Sequence, residues 1–222
     1  MGTLSRIARS LIPLLAAAAL LGGCIENPFT PASPEAPTGG GPITNFTTPE
    51  KLLTTIEEAI SAENEGAVAY GEVIADSTTN TTPFGFYAVP DPGVLAAWRA
   101  TPGAGDPYDP GDVRHERLFF SELVQVLESF DYVFVFGPDN SGTSLDDIGP
   151  ETALLHRYYV LQATSADGRI TKEIAIGYAD LTLRKHNGRW WLARWDDRVD
   201  PLIGVNPANT DNRTMGARRL DL

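Results

Sequence analysis

The chain has 222 residues, with 29 Asp+Glu against 17 Lys+Arg, a net charge of −12 and a single cysteine. So acidic a balance argues against partners gripped through basic patches, nucleic acid above all. One cysteine leaves neither an internal disulfide nor a cysteine-built metal site, and the length suffices for one domain with a sizeable core.

The first 24 residues read as an address. Arg6 and Arg9 form a positive n-region, and Leu11 to Leu21 is apolar apart from Pro13. That stretch is too short to span a bilayer as a helix and reads as the h-region of a secretory signal. It ends in Leu21-Gly22-Gly23-Cys24, which resembles the lipobox of bacterial lipoproteins. The resemblance implies that residues 1–23 are removed and that Cys24 becomes the acylated N-terminus. At about 0.8 kcal/mol per buried methylene, one acyl chain anchors marginally and two or three hold firmly. Residue 25 is Ile rather than the aspartate that resembles an inner-membrane retention signal. The expected location is therefore a cell envelope, on the periplasmic face of the outer membrane. Loss of the signal removes two arginines and no acid, taking the net charge from −12 to −14.

Residues 24–45 are expected to be the lipidated cysteine and a tether. Prolines at 28, 31, 34, 37 and 42 and the run Gly39-Gly40-Gly41 leave almost nothing to bury, as in an extended linker. A folded domain is expected over 46–200, with a tail over 201–222 packing on its sheet. Thr47 with Glu50 three residues later matches a capping box ahead of a helix carrying Leu52, Leu53, Ile56, Ala59 and Ile60. Asn64 and Gly66 are expected to end it, with a second helix over about 67–75. Thr81 to Val89, in which Phe84 and Phe86 alternate, reads as a short strand, and a third helix is expected over about 91–99. Residues 101–112 must be loop. Val113 to Val126 permits a helix, while Leu123 to Phe136 increasingly favours strand. Strands are expected over 154–164, 170–185 and 190–196, joined by the tight-turn dipeptides Asp167-Gly168 and Asn187-Gly188.

The turns fix a register. Across Asn187-Gly188, Lys185 faces Trp190, Leu183 faces Leu192 and Leu181 faces Arg194. Leu181, Leu183, Trp190 and Leu192 then share an apolar face, with Arg184, Trp191, Ala193 and Trp195 on the other. Across Asp167-Gly168, Leu161 faces Ile174 and Tyr159 faces Ile176. Core positions are even at 174 and 176 but odd at 181 and 183, so a β-bulge is expected between Gly177 and Asp180.

The pattern Gly177-Tyr178-Ala179-Asp180-Leu181-Thr182-Leu183-Arg184, followed by Asn187-Gly188-Arg189-Trp190-Trp191-Leu192 and Arg194-Trp195-Asp196-Asp197, resembles the closing hairpin of the nuclear-transport-factor-2-like (SnoaL-like) superfamily. The start Pro49-Glu50-Lys51-Leu52-Leu53 through Tyr70 is similar to its first two helices. The resemblance implies an α+β fold, a cone-shaped, strongly curved antiparallel sheet packed on N-terminal helices around a cavity. Members include isomerases, dehydratases and polyketide cyclases beside non-catalytic binding domains, so the fold does not choose among them.

Around such a cavity the ligand-pocket candidates are Tyr70, Tyr87, Trp98, His115, Tyr159 and Trp190. Asp180 is the candidate base for isomerase-type chemistry, with Tyr87 or Tyr158 as donor, although the register sets Asp180 on the outer face. The three histidines make no metal site, the loop acids (Asp106, Asp109, Asp112; Asp139, Asp146, Asp147) lack calcium-loop spacing, and no cofactor motif is present. Arg184, Trp191 and Trp195 on an outer face are interface candidates, to be covered by a homodimer partner, another envelope protein or the tail. The reading is a lipid-anchored, non-catalytic domain binding a small apolar ligand or an envelope partner. Its alternatives are an isomerase-, dehydratase- or cyclase-type enzyme and a structural subunit of an envelope assembly. Convergent titratable groups in the cavity would favour chemistry, and purely apolar lining would favour binding.

Overall fold

In the computed structural model the chain separates into two units, Met1–Gly40 and Gly41–Leu222. The structure describes residues 46–79, 82–101, 113–127, 130–139, 145–200 and 213–220, all within the second. The signal segment, Cys24, the tether and the acids Asp106, Asp109 and Asp112 lie outside the described residues.

Helix α1 spans Pro49–Ser61 and α2 spans Glu63–Val73. The N-cap of α1 is Thr48, not Thr47: its hydroxyl accepts from the Lys51 N–H at 3.3 Å, and Pro49 takes the first turn, where no partner is needed for its missing N–H. The break between α1 and α2 falls at Ala62, and Gly66 lies inside α2. A Cβ on Gly66 would collide with the Ala59 carbonyl, so this glycine permits close approach of two helices rather than ending one.

Strand β1 (Tyr87–Val89) takes only the last three residues of the expected stretch and includes neither Phe84 nor Phe86. Helix α3 (Pro92–Arg99) starts from Asp91, whose carboxylate accepts from the Gly93 N–H at 2.7 Å. The ambiguous stretch resolves as helix α4 (Val113–Leu127) followed by β2 (Phe130–Pro138). The remaining elements are β3 (Asp147–Ile148), β4 (Thr152–Ser165), β5 (Thr171–His186), β6 (Arg189–Arg198) and α5 (Met215–Leu220). Asn187 and Gly188 both take positive φ, 51° and 78°, as the two-residue turn demands.

The strands form a sheet in the order β1-β6-β5-β4-β2, with β3 against the start of β4; β1 runs parallel to β6, and the β2–β4, β4–β5 and β5–β6 pairs are antiparallel. The helices cover one face, giving a core of α1 (Leu52, Ile56, Ile60), α2 (Tyr70, Val73) and α4 (Phe119, Phe120, Leu123) against Phe134, Leu155, Tyr159, Leu181, Leu183 and Trp195.

Two bulges shape this sheet, and both differ from expectation. In β5 the register shifts at Ile174: Leu161 faces Ala175 rather than Ile174, and Tyr159 faces Gly177 rather than Ile176. The parity change that required a bulge is real, but it is made three residues before Gly177. Pairing from Gly177 to Asp180 is regular. The second shift is at Ala193 in β6. Leu183 faces Leu192 as the turn requires, but Leu181 faces Trp195, not Arg194. The extra residue rotates Trp195 from the outer to the helix-covered face.

Backbone groups of β6 ahead of its pairing with β1, and of the edge strand β2, find partners outside the sheet. Along β6 the Trp190 N–H donates to the Phe46 carbonyl and the Ala75 N–H donates to the Leu192 carbonyl, each within 2.9 Å. Along β2 the Phe134 N–H reaches Ser61 Oγ at 3.1 Å and the Phe136 N–H reaches Glu57 Oε1 at 2.6 Å. Ser61 and Glu57 are one helical turn apart on α1, so a helix face stands in for a neighbouring strand. Glu57→Ala is expected to cost about 1–3 kcal/mol, because Phe136 then loses a charge-assisted partner. Urea unfolding measures this, with light scattering reporting any edge-to-edge association.

Candidate functional site

The interior beneath the helices is polar at its centre. On α4 the buried positions Val113, Glu116, Phe120, Leu123, Val124 and Leu127 follow helical spacing, and Glu116 falls within that stripe. Its carboxylate is thereby carried into the core, at 0% exposure. There the Tyr70 hydroxyl donates to Oε1 at 2.6 Å, its ring stacked on Phe120 at 4.5 Å. Arg219 of α5, 2% exposed, completes the pair as a fork: Nε donates to Oε2 at 2.8 Å and Nη2 to Oε1 at 2.7 Å. The guanidinium carbon lies over the rings of Phe119 and Trp195, at 4.9 and 5.0 Å from their centroids.

Asp197 follows Trp195 on the inner face of β6. Its Oδ1 accepts from the Tyr159 hydroxyl at 2.7 Å and from Trp195 Nε1 at 3.1 Å, and its Oδ2 accepts from the Gly216 N–H. The Tyr159 hydroxyl in turn accepts from the Met215 N–H at 2.8 Å. Two glycines make this approach possible. A Cβ on Gly177 would stand 2.8 Å from the Tyr159 hydroxyl, and one on Gly216 would stand 2.6 Å from Asp197 Oδ2 and 2.8 Å from Pro90 Cα. Gly216→Ala is therefore expected to cost about 1–3 kcal/mol through overpacking, read as a lower unfolding midpoint with faster amide exchange in α5.

Helix α5 is held along the free part of β5. The Ile176 N–H donates to the Arg213 carbonyl at 3.0 Å, Arg218 donates through Nε and Nη2 to the Ile174 carbonyl at 3.0 and 2.8 Å, and Thr214 caps the helix at the Ala217 N–H. The bulge at Ile174 thus presents the carbonyl that Arg218 grips.

Burial pushes the Asp197 carboxyl up, with Arg219 and the three donors pulling the other way. Burial and the Glu116 charge hold the Tyr70 phenol well above its ordinary value of 10.0, and burial and Asp197 do the same for Tyr159. A raised folded-state pKa means stability that is complete below the unfolded value and falls as pH rises through the folded one. Stability should therefore fall above pH about 10, each phenol adding up to about 1.4 kcal/mol per pH unit. Tyr70→Phe and Tyr159→Phe should each reduce that slope, by about half a proton at pH 10 and approaching one proton above it, in urea titrations between pH 9 and 11.

Of the pocket candidates, the structure brings Tyr70 and Tyr159 into the interior and buries Trp190 in the core. Trp98 is half-buried on α3. His115 is exposed on α4, and Tyr87, 48% exposed on β1, faces away from the core; neither lines the interior. Trp195, expected on the outer face, is at the centre of the inner one. Trp191 remains outside in a small cluster with Ala75, Ala193 and Phe84. Arg189 lies over its ring at 4.2 Å, while Arg184 stacks on Phe84 at 4.5 Å. The segment between α2 and β1 thus covers this patch, and the tail contacts Trp195 from inside. Asp180 stays outside, paired with His156 Nδ1 and Arg198 Nη2 at 2.7 Å each. Asp139 pairs with Arg198, and Asp146 with Arg157. Among the described residues no three His, Cys, Asp or Glu side chains gather as metal ligands.

Sequence reading missed Glu116, Asp197 and Arg219. Glu116 carries a signal, since it occupies an apolar-stripe position of α4. Asp197 carries one only once the bulge at Ala193 is known.

These observations define an α+β protein with a curved, mainly antiparallel sheet and a polar centre enclosed by helices. No family model and no curated protein matches the chain. Similar solved structures include Aln2 from a Streptomyces species (TM-score 0.48, 10% identity, covering 72% of this chain and 97% of that one). Another is a protein from Mycobacterium tuberculosis described as of unknown function (TM-score 0.47, 14% identity, 77% and 83% covered). A third is an NTF2-like protein with a cystatin-like fold from Novosphingobium aromaticivorans (TM-score 0.44, 12% identity, 68% and 79% covered). Likeness of this degree concerns the arrangement of helices and strands and does not extend to a reaction.

Proposed function

We propose that the chain is a lipid-anchored protein of the bacterial cell envelope whose cone-shaped domain binds a small ligand without transforming it. The anchor rests on Leu21-Gly22-Gly23-Cys24 behind an apolar segment. The ligand reading is carried by the convergence of Tyr70, Glu116, Tyr159 and Asp197, from four different elements, on the helix-covered face of the sheet. Charged groups buried this deeply are no more stabilising than apolar ones of similar size, so their presence supports recognition. They favour a polar ligand over the small apolar one expected from the sequence. Convergent titratable groups are the pattern that favours chemistry, but here each is engaged, Glu116 by Arg219 and Tyr70 and Asp197 by three donors, which supports binding over proton transfer.

A second reading, an isomerase-, dehydratase- or cyclase-type enzyme, is favoured by one observation: a phenol and a carboxylate stand side by side at Tyr159 and Asp197.

The test uses the full chain expressed in a two-membrane bacterium. Intact mass should show an N-terminal Cys24 with acyl chains, the protein should fractionate with the outer membrane, and Cys24→Ser should release it. A mature chain lacking lipid overturns the anchor. Native mass spectrometry from detergent should show an added mass that leaves on denaturation. A clean species across growth conditions overturns the binding reading. A bound compound changed by the wild type but not by Asp197→Asn decides for the enzyme.

A further inference from the structure

We propose that the interior is a guanidinium-binding site, that Arg219 is its tethered occupant, and that an alkylguanidinium ligand exchanges with it. This rests on the ligand-binding reading above and names the class of ligand. The receptor half is built without the tail: Tyr70 on α2, Glu116 and Phe119 on α4, Trp195 and Asp197 on β6. Glu116 offers both carboxylate oxygens to a planar fork, at 2.7 and 2.8 Å from the donors. Tyr70 fixes that plane through its own 2.6 Å bond. Phe119 and Trp195 each supply an aromatic face against the guanidinium. A fork against aromatic faces selects guanidinium over ammonium, because a point charge neither bridges both oxygens nor stacks.

The occupant sits on a short element. Helix α5 has six residues, too few to be stable alone. It is held by Arg219, by the buried side chains of Met215 and Leu220, by the Met215 and Gly216 N–H groups bonded to Tyr159 and Asp197, and by Arg213 and Arg218 against β5. A ligand guanidinium entering as Arg219 leaves replaces like with like, so Glu116 is never left buried and unpaired. Asp197, released from Gly216, remains as a second carboxylate for the rest of the ligand.

Amide exchange of the full chain in detergent tests this, with agmatine as probe and n-butylamine as a control that carries an ammonium without a fork. Agmatine is expected to speed exchange at Met215 and Gly216 while β4 and β5 stay protected, and butylamine is expected to leave α5 unchanged. Arg219→Ala should bind agmatine at least about tenfold more tightly than the wild type, since the competing occupant is gone. Arg219→Lys, which keeps the charge, gives the same direction should the alanine variant fail to fold. An N-acetyl-arginine-amide peptide acting more strongly than agmatine assigns the source as an arginine side chain, and the reverse assigns a free small cation. Exchange of α5 only together with β4 and β5, unaltered by agmatine, overturns the proposal and makes Arg219 a permanent strut. A different native ligand bound with α5 still protected overturns it while leaving the ligand-binding function standing. Opening by agmatine with no native ligand found sinks that function and leaves the site.

Discussion

Arg219→Ala is expected to destabilise the domain by about 3–5 kcal/mol, because it leaves the Glu116 carboxylate buried without its cation. Both side chains are fully enclosed, and both guanidinium-to-carboxylate bonds are short. The loss is therefore mainly the desolvation penalty of the surviving charge rather than the worth of the pair. The double variant Glu116→Gln with Arg219→Met removes both charges, keeps much of the volume and lets Tyr70 still donate to the amide oxygen. It should recover most of the loss, giving a coupling of about 2–3 kcal/mol in a double-mutant cycle. Urea unfolding of the wild type, Glu116→Gln, Arg219→Met and the double variant at neutral pH measures the coupling, with Arg219→Ala measured beside them. A cost for Arg219→Ala of no more than about 1 kcal/mol, the range of a surface pair, would mean that water reaches Glu116 and that the interior is not the dry site described.

Trp195→Ala is expected to cost about as much, about 3–5 kcal/mol, by a different route. The indole is fully buried and packs on Phe134, Phe136 and Tyr159 at centroid distances of 6.4, 5.7 and 5.6 Å. It also forms one wall of the guanidinium slot and gives Nε1–H to Asp197. Trp195→Phe separates these contributions. It preserves most of the apolar contact but removes one donor from a buried carboxylate, for about 1–3 kcal/mol. The phenylalanine variant should retain most of the wild-type midpoint and lose some protection in α5, since Asp197 also holds Gly216. Equal losses in the two variants would show that the hydrogen bond, not the packing, fixes the indole.

Much of the architecture is legible in the residues. The Asn187-Gly188 and Asp167-Gly168 turns locate two hairpins, and the spacing of Leu52, Ile56 and Ile60 locates the first helix, because both are local geometry written in local residue types. The inner face was legible only in part. Alternation assigned Leu183 and Leu192 to it correctly, then failed at Trp195, because one unpaired residue at Ala193 reverses every side chain after it. A bulge leaves little local mark. Its position depends on which neighbouring strand bonds where, and at Ile174 it is tied to the Arg218 side chain of a distant segment.

The same division holds for the site. Composition, the acidic balance and the lone Cys24 behind an apolar segment follow from the sequence by itself, as do the helix-then-hairpin order and the presence of a parity change in β5. Tertiary structure decided that Glu116 of α4 meets Arg219, 103 residues later, and that Asp197 holds the start of α5. A helical wheel places Glu116 on the buried stripe, but a buried carboxylate is tolerable only beside its cation. Only the chain's return path brings that cation within 2.8 Å.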